Sequence, residues 1–397
     1  MVAKKRHNSN PAVCGEAARK FLAHFGRPHT VGAYAPGRIE VLGNHTDYNE
    51  GFVLSAAINM GTCFLAAPAP DATCRILAGD LMEEVAFDAR SPAPIKGRTW
   101  ANYVVGVFAK LAARGKDMAR RGFWGVLFGD IPLGAGLSSS AALEISAGLA
   151  LDRLYGTAND KLTLARIGQA AEHEFAGAKC GLLDQISSLY GQDKHLILTD
   201  FRSLEVQNVS LGLDACFLMC NTGVKHSLVE GEYNERRARC EEAARFFASA
   251  LKHPVSALRD VTWEEWQRHS PTMDPVAARR AAHIIGENRR VLEGREFLQK
   301  GDLEAFGKRM FESHESSISC FENSCPELDF VVAEARKIPG VMGARLSGGG
   351  FGGSVVVLVH PRDAEAATKA LGSAYRRKFR HPCKTCVIQP SAGAVTL

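Results

Sequence analysis

The stretch PLGAGLSSSAALE, residues 132–144, constrains the fold of this chain more than any other. Before it lies GFWGVLFGD, an apolar run that reads as a strand. After it, SSSAALEISAGLALDRLYG has helical spacing, serine caps at its start and a glycine at its end. A strand that turns through small residues directly into a helix leaves the first helical amides unpaired, at the positive end of the helix dipole. Such a turn suits phosphate. No lysine follows the glycines, so it is not a Walker-type loop. Serine hydroxyls stand there instead, able to bond phosphate oxygens or to ligate magnesium. A well-capped helix after a tight turn would look the same from glycines and serines alone.

A chain of 397 residues is too long for one ordinary core and predicts two domains, 1–205 and 206–397. Strands and helices come in mixed runs, which points to α+β architecture rather than regular βαβ alternation. TVGAYAPGRIEVLG is expected to form strand, turn, strand, broken at Pro36-Gly37. The net charge of +5 is small, and no basic run carries interleaved aromatics, so nucleic acid is not an expected partner. No apolar run reaches the length of a membrane span, and no membrane association is expected. The first residues are basic but lack an apolar core, so a cleaved leader is not expected. Eleven cysteines without a disulfide-like framework read as reduced and cytoplasmic. CKTC, at 383–386, has too few ligands nearby for zinc and reads as incidental.

Three further stretches carry chemistry. GNHTDYNEGF, residues 43–52, sets an amide, an imidazole, a hydroxyl, a carboxylate and a phenol between two glycines, as a small hydroxyl-rich ligand would require. LSGGGFGGSVVVLV holds five glycines in six positions, 348–353, which suggests close backbone approach to a ligand or another loop. EHEFAGAKCGLLDQISSLYG gathers Glu172, Asp184 and Gln185 around a small-residue bend. There Asp184 could be a partly buried base or a helix cap, and in isolation the cap is the simpler reading.

Taken together, APGRIEVLGNHTDYNEGFVL, PLGAGLSSSAALE and ARLSGGGFGGSVVVLV resemble, in order, the three signature blocks of the GHMP kinases, and among them the galactokinases. WANYVVGV, CGLLDQ, EYNERRARCE and SHESS add to the resemblance, which extends over about residues 29–395. It implies a two-domain α+β fold with the site in the cleft between the N- and C-terminal domains. It also implies ATP and Mg2+ as cofactors, a small sugar as substrate, and no obligate protein partner.

Residue by residue, the resemblance makes Asp184 the catalytic aspartate beside the anomeric hydroxyl and Arg38 the arginine that holds it ionised. Asn44, His45, Thr46 and Asp47, with Tyr233, match the sugar contacts. Gly134, Ala135, Gly136, Leu137, Ser138, Ser139 and Ser140 match the ATP phosphate loop, and Ser140 and Glu172 the magnesium ligands. Gly348, Gly349, Gly350, Gly352 and Gly353 match the loop that packs near phosphates and sugar. The implied reaction converts ATP and galactose to galactose 1-phosphate and ADP. Other outcomes are a 1-kinase for galacturonate or N-acetylgalactosamine, or a non-catalytic sugar sensor, against which the intact catalytic positions argue. One departure bears on specificity: Asn44 stands where galactokinases carry Glu, near the sugar C6 hydroxyl. A neutral amide there predicts weaker discrimination at C6.

Overall fold

The computed structural model describes residues 10–115, 118–132, 134–225 and 229–397. The leader reading of residues 1–9, and Leu133 of the small-residue turn, lie outside these. The chain opens on α1 (Pro11–Phe25), which Asn10 caps by accepting from the amides of Ala12 and Val13, and which left-handed Gly26 closes. Two long antiparallel strands follow, β1 (Val31–Leu42) and β2 (Phe52–Pro68). Then come β3 (Thr73–Ala78), β4 (Glu83–Asp88), α2 (Thr99–Ala112), β5 (Phe123–Gly129), α3 (Ser139–Tyr155), α4 (Lys161–Ala171), α5 (Leu183–Tyr190), β6 (His195–Asp200) and β7 (Val206–Ser210). Among the described residues these strands form one sheet, ordered β1-β2-β5-β3-β4, with the β6–β7 hairpin added at β2. Only β3 and β5 run parallel.

The second part contains β8 (Cys216–Lys225), α6 (Val229–Ala250), α7 (Trp263–His269), α8 (Pro275–Gln299), α9 (Leu303–Ser316), α10 (Pro326–Ala335), β9 (Val341–Ser347), β10 (Gly352–Val359), α11 (Ala364–Phe379) and β11 (Lys384–Ile388). Its sheet is antiparallel, in the order β11-β8-β10-β9. A last strand, β12 (Val395–Thr396), returns to pair with β1. The division expected near residue 205 therefore falls inside the β6–β7 hairpin, and the C-terminal end rejoins the first sheet. One apolar core spans both sheets: Ile39, Leu42 and Leu54 of the first pack with Phe217, Met219 and Val356 of the second. Burial across this junction fixes one sheet against the other.

The expected break at Pro36-Gly37 does not occur. β1 runs through it with a register shift between Pro36 and Arg38, a bulge that absorbs the proline without ending the strand. Gly37 is needed there for a different reason: a Cβ on it would come within 2.4 Å of the Leu137 carbonyl. Its absence lets the Arg38 amide donate to that carbonyl at 3.0 Å, which ties the turn before α3 to the strand.

Candidate active site

β1 presents Arg38, and the first turn of α5 presents Asp184. The guanidinium grips the carboxylate with two bonds, Nε to Oδ1 at 2.7 Å and Nη2 to Oδ2 at 2.8 Å, while Nη1 donates to the Gly136 carbonyl at 2.8 Å. This fork geometry fixes both orientation and charge. The Asp184 side chain remains 21% exposed, so an edge of the carboxylate faces the cleft. It is not a helix cap: Leu182 occupies the cap position of α5 and makes no side-chain cap bond.

The small-residue turn departs from expectation in one respect. Ser138 precedes α3 but does not cap it; its backbone is left-handed, φ 54°, and its hydroxyl donates to Asp184 Oδ2. Residues 134–138 thus wrap the Arg38–Asp184 pair as well as opening the helix. Facing them is the β9–β10 loop, where Gly348, Gly350, Gly352 and Gly353 all have positive φ. A side chain at Gly350 would strike the Asn323 carbonyl at 2.1 Å, so bare backbone is required for that approach. Ser354 Oγ of β10 donates to the Ala135 carbonyl at 2.7 Å, linking the two loops across the cleft.

On the other side of Arg38 a cavity is lined by Glu40, Asn44, His45, Asp47 and Tyr233. His45 is neutral: burial pushes its pKa down to about 4. Its Nε2 donates to the Gly349 carbonyl at 3.0 Å, so Nδ1 accepts from the Tyr48 hydroxyl at 2.8 Å. Asp47 has the opposite shift, to about 6, first because it is buried and next because the Glu40 charge is near. Thr46 does not line this cavity. It is fully buried, and its hydroxyl lies 2.7 Å from the Gly43 and Phe52 carbonyls, so it closes the loop rather than touching a ligand. Asn44 lines the cavity, but its amide is already occupied. Nδ2 donates to Glu40 Oε1 at 2.9 Å and to the Gly348 carbonyl at 2.7 Å, and Oδ1 accepts from Asn323 Nδ2 at 2.9 Å.

The loop itself hangs on Glu287 of α8, which is fully buried. Its Oε1 accepts from the amides of Gly43 and Asn44 at 3.0 and 3.1 Å and from Ser313 Oγ at 2.7 Å; its Oε2 accepts from Arg290 Nε at 2.6 Å. Burial alone would raise this carboxyl, but the charges of Arg290, His283 and Arg345 hold it well below the usual range. Neither Glu40 nor Glu287 stood out in the sequence. Both sit where a strand or a charged helix would ordinarily show a solvated face.

Beyond the small-residue turn, a second cavity is lined by Asp80, Leu81, Trp100, Tyr103, Ser139 and Ser140. Tyr103, Ser139 and Ser140 also border the space over the turn, which reaches Arg38 and Asp184. The cleft is therefore continuous, from the aromatic cavity past the turn to the carboxylate-lined cavity. Glu172 lies close behind Ser140, at the start of a wide π-type turn, Glu172–Ala176. Its Oε2 accepts from Cys180 Sγ at 3.0 Å and Gln185 Nε2 at 3.2 Å, and Gln185 also donates to Glu144 Oε2 at 2.8 Å. Burial and neighbouring carboxylates push both Glu144 and Glu172 upward. Among the described residues, Glu144 Oε1 is buried without a partner.

The chain is similar to known proteins in sequence and in fold. Residues 102–192 match the GHMP kinase N-terminal domain, 295–377 the GHMP kinase C-terminal domain, and 19–68 the galactokinase galactose-binding signature. A galactokinase of Haemophilus influenzae strain KW20 is 40% identical over 361 residues, covering 89% of this chain and 92% of that protein. The crystal structure of Lactococcus lactis galactokinase complexed with galactose superposes with a TM-score of 0.89 at 33% identity, covering 96% of this chain and 98% of that one. A mevalonate kinase from Methanococcus jannaschii, at 18% identity and a TM-score of 0.63 over 91% of this chain and 98% of that one, shares the fold. Identity at this level over nearly the whole length, on a cleft built from the same three blocks, makes the chain a member of the galactokinase family of GHMP kinases.

Proposed function

We propose that this chain transfers the γ-phosphate of ATP to the anomeric hydroxyl of galactose, giving galactose 1-phosphate and ADP. The observation that carries the proposal is the Arg38–Asp184 fork, at the point where the carboxylate-lined cavity meets the turn before α3. A sugar held by Asp47 and Tyr233, with the His45 ring as a wall of the cavity, brings one hydroxyl against Asp184. A nucleotide laid along residues 134–140 brings its terminal phosphate to the same place, with its base against Trp100 and Tyr103. Asp184 orients the hydroxyl and takes its proton late, since in a loose transition state the nucleophile needs little early charge. Arg38 holds Asp184 in place and offsets charge gathering on the phosphoryl oxygens. ADP release measured by a coupled assay over a panel of hexoses tests this: galactose is expected to turn over fastest. Binding of ATP and galactose without ADP release would assign the chain to the sugar sensors instead.

The site also suits magnesium. Among the described residues no three His, Cys, Asp or Glu side chains are grouped to hold a metal by themselves. Magnesium does not need that, because it keeps waters and leans on substrate phosphates. The Ser140 hydroxyl and the Glu172 carboxylate would complete its shell, and its charge would offset the crowding of Glu144, Glu172 and Asp184. When bound, the ion neutralises the phosphates. Ser140→Ala is expected to raise the magnesium concentration for half-maximal rate by several-fold, with a smaller change in sugar KM. Equal changes in both would mean that Ser140 shapes the sugar site. The eleven unpaired cysteines suit a reducing compartment such as the cytoplasm.

Asp47 makes sugar affinity depend on pH. With its pKa raised to about 6, it is ionised at pH 7 and accepts hydrogen bonds from sugar hydroxyls; as pH falls through about 6 it takes up a proton and loses that role. Sugar KM is expected to rise below about pH 6 while the nucleotide KM holds. Asp47→Asn is expected to have a high sugar KM at every pH and to flatten this dependence. A pH dependence of KM unchanged in the variant would move the titration to another group.

A further inference from the structure

The cavity beside Arg38 contains a carboxylate with an unused edge. Glu40 lies two residues after Arg38 on β1, so both side chains leave the same face of the strand. Its side chain is 6% exposed and fixed on one edge: Oε1 accepts from Asn44 Nδ2 at 2.9 Å and from Arg345 Nη1 at 3.0 Å. Among the described residues no hydrogen bond reaches Oε2, yet the residue lines the cavity and Oε2 is not sealed from it. A buried carboxylate held by an arginine and an amide on one oxygen, with the other open toward a polar cavity, is set to accept one more hydrogen bond.

Its distance from the reaction says from which end of the ligand. Arg38 marks the phosphoryl-transfer end through Asp184. Two residues along a strand are roughly 6.6 Å, comparable to the span of a pyranose from its anomeric oxygen to the far side of the ring. We infer that Glu40 is the specificity residue for the end of the sugar remote from the anomeric carbon, where Oε2 accepts from the exocyclic C6 hydroxyl and repels a carboxylate. Asn44 is then a positioning residue. Its amide, which donates to both Glu40 and the Gly348 carbonyl, holds the carboxylate against the glycine loop and has no hydrogen left to donate to the ligand. Discrimination at C6 is thus retained despite the neutral residue at 44.

This inference rests on the galactokinase proposal, and binding measured alongside turnover separates the two. Equilibrium binding and kcat/KM are measured for galactose, 6-deoxygalactose and galacturonate, in the native chain and in Glu40→Gln. The native chain should favour galactose over both analogues. Glu40→Gln removes the charge, keeps the size, and leaves Arg345 without its counter-charge. It should lower kcat/KM for galactose about 10- to 100-fold, mostly through KM, and shift the galacturonate-to-galactose ratio upward by at least about tenfold. Glu40→Asp retains the charge one methylene further back; it should weaken galactose while still rejecting galacturonate, and it serves if Glu40→Gln fails to fold. Relative affinities for the three sugars that stay within twofold of native in a folded variant would overturn the inference. A native chain that binds galactose but releases no ADP would overturn the kinase proposal alone, and the binding ratios would still decide the role of Glu40.

Discussion

Asp184→Asn should abolish sugar phosphorylation while leaving ATP binding nearly unchanged. The substitution conserves size, and Asn can still accept from Arg38 or Ser138 through its one oxygen. It cannot take the hydroxyl proton, and it breaks the two-oxygen fork from Arg38, with bonds of 2.7 and 2.8 Å. Positioned proton transfer contributes on the order of 10²–10⁴-fold, and misplacing the hydroxyl adds to that loss. The checks are single-turnover rate and nucleotide affinity together. A variant that keeps more than about a tenth of native activity, which is roughly 1.4 kcal/mol of barrier, would remove Asp184 from the chemical step.

Glu287→Ala should be the most destabilising single truncation near the cleft, though it touches no substrate. It leaves the amides of Gly43 and Asn44 and the Ser313 hydroxyl without their acceptor, and takes from Arg290 its buried partner. Breaking such a buried, multiply bonded charge costs about 3–5 kcal/mol, a large share of a typical 5–15 kcal/mol total. Since its carboxyl is depressed in the folded chain, the stability it confers is present at neutral pH and is lost as pH falls toward that low value. Denaturant unfolding at pH 7 should show the full loss, and the difference from the native chain should shrink in acid. The sugar KM should rise in the same variant, because β1 and the residue 43–51 loop lose their anchor on α8. A loss below about 1 kcal/mol would mean that water replaces the carboxylate easily and that the loop is held elsewhere.

The sequence points to the turn at 134–140 and to Asp184 as parts of one site, and the structure brings that turn, Arg38 and Asp184 together. Gly134–Ser140 reads as a turn into a helix from its small residues, and the resemblance adds the phosphate-loop expectation. Arg38 and Asp184, 146 positions apart, were linked by family resemblance and not by any local pattern. Neither local pattern, for Ser138, nor resemblance, for Thr46 and Asn44, reveals the partners of individual polar groups. Ser138 looks like a cap, yet its hydroxyl turns to Asp184. Thr46 looks like a ligand contact, yet it bonds its own loop. Asn44 looks like a reader of the sugar, yet Glu40, Gly348 and Asn323 occupy its amide. In each case the deciding partner lies far along the chain or on the backbone, where periodicity carries no information. Glu287 carries no sequence signal of its role, because a Glu among Arg and Asn on a helix ordinarily reads as solvated surface. Pro36-Gly37 looked like a turn, and the long pairing of β1 with β2 overrode that local preference through a bulge.

The position of the phosphate in the product tests transfer to the anomeric hydroxyl most directly. The native chain is incubated with ATP, magnesium and galactose, and the sugar product is examined by phosphorus and proton NMR. One ADP per sugar phosphate is expected, with a phosphomonoester coupled to the anomeric proton, and neither is expected in Asp184→Asn. Phosphate on any other hydroxyl, or no ADP release beyond hydrolysis by water, would contradict it.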